Sequence, residues 1–166
     1  YGKGSRFFFT IEQTIIDPTP VSAVNYNGQK DNVTEKEAEC LFIAPEAHIL
    51  LVDDNELNLV VAKELLKPLR MQIDTAENGL QAVKMVRGSQ YDLVLMDVQM
   101  PVMNGYEATK QIRALDNPAL AGITILAMTA NAFAEDVQLA KNTGMNGHIA
   151  KPLDMNKLND VLESWL

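Results

Sequence analysis

Five short runs, His48–Val52, Met71–Thr75, Asp92–Met96, Ile123–Met128 and Gly147–Ala150, divide residues 47–166 at near-regular intervals. Most are apolar almost throughout, the pattern of a strand covered on both faces. Between them the spacing turns helical: Leu57, Val60, Val61, Leu65 and Leu66, then Leu80, Val83 and Val86, and later Val137, Ala140 and Lys141. The last segment, Met155, Leu158, Val161, Leu162 and Leu166, is amphipathic by the same test. Five strands alternating with five helices require right-handed crossovers and one parallel sheet covered on both faces. Pro68 should end or kink the first helix near Lys67, because proline lacks the N–H a helix needs.

The strand ends carry the chemistry. Asp53 and Asp54 follow Ile49-Leu50-Leu51-Val52, Asp97 follows Asp92-Leu93-Val94-Leu95-Met96, Thr129 follows Ile123–Met128, and Lys151 follows His148-Ile149-Ala150. In an open parallel sheet the carboxyl ends of the strands are where ligands bind. Three carboxylates at one edge repel each other and raise each other's pKa unless a cation lies among them. A hard divalent ion, Mg²⁺, resolves that with oxygen ligands. Asp97 is then a nucleophile able to form an acyl phosphate. Lys151 offers a point charge to phosphoryl oxygens, Thr129 a hydroxyl hydrogen bond, and Ala130 leaves the approach open. Each residue alone has an ordinary role as well. An acid or threonine before a helix caps it, and a lone lysine is usually a solvated charge. It is the set of four strand ends that favours phosphoryl transfer.

Composition narrows the rest. Hydrophobic residues make up 47% of the 166, enough for a core. A formal charge of −8 argues against nucleic acid as a ligand. No apolar run approaches the roughly 18 residues of a membrane span, and the start, Tyr1-Gly2-Lys3-Gly4-Ser5-Arg6, lacks the order of a signal peptide. A single cysteine, Cys40, excludes an internal disulfide and fits a reducing compartment, so a cytoplasmic location is expected. Residues 1–46 differ from the rest. Arg6-Phe7-Phe8-Phe9-Thr10-Ile11 has the β propensity of a strand without a partner. Residues 13–46 have a linker's composition, with a capping box at Thr34-Glu35-Lys36-Glu37 that would start a short helix.

The order Asp53-Asp54, then Asp97 in a Met-Asp-x-x-Met-Pro-x-x-x-Gly context ending at Gly105, then Thr129-Ala130, then Lys151-Pro152, resembles response-regulator receiver domains across residues 47–166. The resemblance implies an α/β fold, a flavodoxin-like doubly wound five-stranded parallel sheet of order 2-1-3-4-5. It implies that Asp97 accepts a phosphoryl group from phosphohistidine. Asp54 and Asp97 would bind Mg²⁺ directly, Asp53 through water and Gln99 through its backbone carbonyl. It further implies a cis Lys151–Pro152 bond. The family's switch aromatic, three residues before the lysine, is His148 here, which puts its coupling to Thr129 in doubt. Gln99 and Asn131 flank the site, where they would tune hydrolysis of the acyl phosphate.

Residues 1–12 resemble the end of a histidine-kinase ATP-binding domain. Together the resemblances imply the C-terminal part of a hybrid sensor histidine kinase: 1–12 kinase remnant, 13–46 linker, 47–166 receiver. Such a receiver would be served by the phosphohistidine of its parent kinase core and would relay to a histidine phosphotransfer domain. The surface around the helix of Val137 and the last strand would change on phosphorylation. The fragment itself would bind no ATP, touch no nucleic acid or membrane, and be a monomer, with a membrane anchor in the parent left open. Three rivals remain. An aspartate-nucleophile phosphatase would need a second acid two residues after Asp97, where Gln99 stands. A nucleotide-binding domain would need glycines where Asp53-Asp54-Asn55 stands. A receiver-like module that is never phosphorylated would serve only as an interaction platform.

Overall fold

The structure, a computed structural model, describes residues 42–130 and 134–166, which belong to a compact unit spanning Glu39–Leu166. The 1–12 segment, the linker to residue 41 with its capping box and Cys40, and Asn131 lie outside the described residues.

In chain order the elements are β1 (His48–Val52), α1 (Glu56–Leu66), β2 (Gln72–Ala76), α2 (Gly79–Gly88), β3 (Leu93–Asp97), α3 (Gly105–Arg113), α4 (Pro118–Ala121), β4 (Thr124–Thr129), α5 (Ala134–Thr143), β5 (Gly147–Ala150) and α6 (Met155–Trp165). All strand pairs are parallel, in the order β2-β1-β3-β4-β5. This is the flavodoxin-like order expected.

Strand alternation sorts the apolar residues into two cores. Ile49, Leu51, Leu93, Leu95, Leu126, Met128 and Ile149 pack with Leu59, Ala62 and Leu66 of α1 and Leu158 and Leu162 of α6. Leu50, Val52, Val94, Met96, Ile125 and Ala127 pack on the other face with residues of α2, α3 and α5. Each buried Val, Leu, Ile or Met side chain contributes about 1.5–3 kcal/mol. A one-residue slip would exchange the faces of a whole strand, so register is firmly set.

Pro68 acts as expected: α1 stops at Leu66, a 3-10 turn spans Lys67–Leu69, and Arg70 closes it with a left-handed φ of 60°. Three strands start one residue later than the apolar runs suggested. Asp92 precedes β3, its carboxylate accepting the His48 N–H at 2.8 Å, while backbone pairing carries β3 through Asp97, opposite Met128, and β4 through Thr129, opposite Ala150. The one-turn α4 was also missed, although Asn117-Pro118 is a cap followed by proline at the first helical position.

The apolar stripe expected on α1 divides. Leu57, Val60 and Val61 are 67, 52 and 49% exposed, and Leu59, Ala62 and Leu66 make the core contacts instead. At the amino edge of the sheet, Asp74 accepts hydrogen bonds from the Tyr91 hydroxyl at 2.8 Å and pairs with His48 Nε2 at 3.1 Å. Burial, then Asp74, pushes the Tyr91 hydroxyl up to about 12. No helix among the described residues is long and apolar enough to cross a membrane.

Candidate functional site

The carboxyl ends of β1, β3, β4 and β5 bring the predicted residues together. Asp53 follows β1 and is buried, with both carboxylate oxygens hydrogen-bonded. Its Oδ1 accepts from the Asn55 N–H at 3.0 Å and from Asn58 Nδ2 at 2.9 Å, and its Oδ2 from Lys151 Nζ at 2.7 Å. The capping role open to Asp53 and Asp54 falls instead to Asn55, whose side chain accepts the Leu57 N–H. Asp54 is exposed, yet a carboxylate oxygen from each of Asp53, Asp54 and Asp97 lies within 4.8 Å of the others.

Asp97 is the last residue of β3 and only 7% exposed. Its Oδ2 is 3.0 Å from Lys151 Nζ, and its Oδ1 accepts the Gln99 N–H at 3.4 Å. Burial raises the Asp97 carboxyl; Lys151 pulls it down, the Asp53 charge pushes it up again, and the net shift is upward. For Lys151, burial works against the charge, but the hydrogen bonds to Asp53 and Asp97 outweigh it and raise the pKa. One ammonium thus bridges two buried acids. Three carboxylates against that single ammonium leave a surplus of two negative charges, which suits one divalent cation. Oxygen-only donors beside an open cavity fit Mg²⁺, which keeps waters and takes few carboxylates.

Beside Asp97 opens a cavity of about 530 Å³, lined also by Gln99, Met100, Pro101, Asn104, Tyr106, Thr129, Ala130, Asp136 and Lys151. Thr129 ends β4, half-buried, and its carbonyl accepts the Lys151 N–H at 2.8 Å, which fixes the two side by side. The Lys151–Pro152 bond is cis. Gly105 holds the β3–α3 loop against the strand: a Cβ there would run into the Asp97 carbonyl oxygen, and its N–H donates to Val98 O at 3.1 Å. His148 lies on β5 opposite Ala127, is exposed, and does not line this cavity. Sequence reasoning missed Asn58, Asn104, Tyr106 and Asp136. Asn104 had a signal, since Asn104 and Glu107 form a capping box for α3. The other three show no spacing rule that points at a site.

A second, more apolar cavity of about 420 Å³ lies beyond the Asp53–Lys151 pair, lined by Leu57, Val61, Met128, Pro152 and Leu153 among others.

Residues 49–163 match the response regulator receiver domain family. Two-component system protein A of Emericella nidulans is 40% identical over 168 residues, covering 98% of this chain and 24% of that protein. Aerobic respiration control sensor protein ArcB of Escherichia coli is 33% identical over 99% of this chain and 19% of its own length. The chain spans about a quarter or less of the curated relatives it matches. Among solved structures, the receiver domain of sensor histidine kinase PA1611 from Pseudomonas aeruginosa, with magnesium in its active-site cleft, has a TM-score of 0.66 at 38% identity, covering 72% of this chain and 96% of that one. The co-crystal of the Saccharomyces cerevisiae histidine phosphotransfer protein Ypd1 with the Ssk1 receiver domain gives a TM-score of 0.69 at 29% identity, covering 74% and 90%. With well over half of its length matched, the chain belongs to the response regulator receiver domain family, the receiver modules of two-component phosphorelays.

Proposed function

We propose that Asp97 takes a phosphoryl group from a phosphohistidine of its parent kinase and passes it to a histidine phosphotransfer domain. The observation that carries this reading is Lys151 Nζ bridging Asp53 at 2.7 Å and Asp97 at 3.0 Å beside an open cavity. An Asp97 carboxylate oxygen attacks phosphorus, the P–N bond breaks, and its electron pair stays on the imidazole nitrogen. Lys151 neutralises charge on the phosphoryl oxygens and Thr129 donates its hydroxyl to them. Asp53, Asp54, Asp97 and the Gln99 backbone carbonyl would hold Mg²⁺, which when bound screens the carboxylates from the incoming group. Recruitment of Thr129 by the phosphoryl group would bias the loop after β4, with His148 as the candidate reporter on β5.

The parent is read as a hybrid histidine kinase, with residues 1–12 the end of its ATP-binding domain, 13–46 a linker and 47–166 the receiver. The histidine kinases among the relatives support this. The exposed Leu57 and Val61, which line the second cavity, and the exposed Val60 on the same helix support a docked partner, and the Ypd1–Ssk1 pairing supports a phosphotransfer protein as that partner. A cytoplasmic location fits the single cysteine.

The test is intact mass after incubation with Mg²⁺ and a small phosphodonor, with Asp97→Asn beside the wild type. A metal-dependent gain of one phosphoryl group, absent in the variant, supports the reading. No gain where a control receiver reacts points to the unphosphorylated interaction module instead.

A further inference from the structure

Two residues in the wall of the Asp97 cavity have no part in the scheme above: Tyr106, in the first turn of α3, and Asp136, in the first turn of α5. Both are half-buried. They are near enough that, after burial, the Asp136 charge is what raises the Tyr106 hydroxyl. The cavity's volume of about 530 Å³ falls within the range of small-molecule pockets, roughly 300–1,000 Å³, so it has room for more than a phosphoryl group.

We propose that Tyr106 and Asp136 form the subsite for the donor's leaving group and select a cationic imidazole ring over an anionic carboxylate. The inference rests on reading Asp97 as the phosphoacceptor. An N-phosphoimidazole reacts with its second ring nitrogen already protonated from solvent. Asp97 attacks phosphorus, the P–N bond breaks, its electron pair goes to nitrogen, and neutral imidazole departs. An acyl phosphate reacts at the same phosphorus, but its P–O bond breaks and a carboxylate anion departs. The Asp136 carboxylate attracts the first donor's ring and repels the second donor and its product. The Tyr106 face adds a cation–π contact available only to the ring. The competing role for Asp136 is structural, an acid at the positive end of the α5 dipole. That role affects stability and leaves donor choice alone.

The experiment measures phosphorylation rates by intact mass with Mg²⁺ and two donors, phosphoimidazole and acetyl phosphate. Asp136→Asn should lower the phosphoimidazole-to-acetyl-phosphate rate ratio about fivefold, the scale of one unit charge acting across a wet cavity. Asp136→Glu should restore the ratio, raised salt should shrink the difference, and Tyr106→Leu should slow phosphoimidazole alone. Phosphorylation of wild type and Asp136→Asn by both donors with an unchanged ratio overturns the subsite and leaves Asp97 in place. No phosphorylation of the wild type by either donor overturns the acceptor reading and the subsite together.

Discussion

Replacing Lys151 with Met keeps the length of the stem and removes the charge shared by Asp53 and Asp97. The side chains involved are 22, 3 and 9% exposed, so water screens them poorly. Removing one partner of a buried pair costs about 3–5 kcal/mol. Two features lower that figure here. Asp53 keeps its donors from Asn55 and Asn58, and Asp97 borders an open cavity. A loss of about 2–3 kcal/mol at neutral pH without divalent metal is expected, read from urea unfolding at unchanged m-value. The pH dependence follows from the direction of each shift. Asp97 has a raised folded-state pKa, higher still without Lys151, so the fold binds more protons than the unfolded chain and stability falls as pH rises through that window. Acid should therefore narrow the deficit by protonating Asp97. The Lys151 contribution is present below the lysine's unfolded pKa and lost as pH rises through its raised folded value, so strong alkali should narrow the deficit too. Mg²⁺ at ten times its Kd stabilises a binding protein by about 1.4 kcal/mol, and the variant, free of the competing ammonium, should gain more than the wild type. A deficit indifferent to both pH and Mg²⁺ would show that Lys151 acts through the packing of its stem, and the charge argument would fail.

Gly105→Ala should cost about 3 kcal/mol, because the new Cβ meets the Asp97 carbonyl and lies 3.0 Å from Met96 Cγ; an unfolding midpoint within error of wild type would refute that close approach. Leu57→Ser with Val61→Ser should change stability by under about 1 kcal/mol yet slow transfer to a phosphotransfer protein about tenfold, as followed by radiolabelled phosphate. Tyr91→Phe should lose about 1 kcal/mol at neutral pH with the hydrogen bond to Asp74. Because the Tyr91 hydroxyl is raised from 10.0 to about 12, the wild-type advantage should vanish as pH rises through that window. An advantage that persists above it would place the effect in packing.

The sheet was legible because its central strands β1, β3 and β4 are short and apolar, the strands are regularly spaced, and burial of the central ones on both faces leaves few alternatives. The acids, Thr129 and Lys151 were legible because strand ends converge whatever the details of the helices. Strand limits were off by a residue since hydropathy reports burial, whereas backbone pairing continues into Asp97 and Thr129. Asn58 and Asp136 escaped because their role depends on where a helix start points, which periodicity does not encode. The reason for Gly105 was hidden too: the motif marked it, but only the contact with the Asp97 carbonyl explains why a side chain is excluded.

The division of the α1 stripe is the most informative departure. Helical spacing made Leu57, Val60 and Val61 core candidates, yet Leu59, Ala62 and Leu66 already close the α1 side of the sheet. The outer three therefore contribute little to folding, and a polar residue at any of them would be tolerated by the core. Single exposed apolar residues are ordinary, but three on one helix, two of them (Leu57 and Val61) lining a cavity that reaches Asp53 and Lys151, form a patch of the kind that partners cover. Helix α1 begins three residues after Asp53, so a partner seated there would sit beside the acid cluster without any change in the sheet. Under the proposed docking, stability and phosphotransfer would be carried by opposite sides of one helix, which is why substitutions on the outer side should separate them.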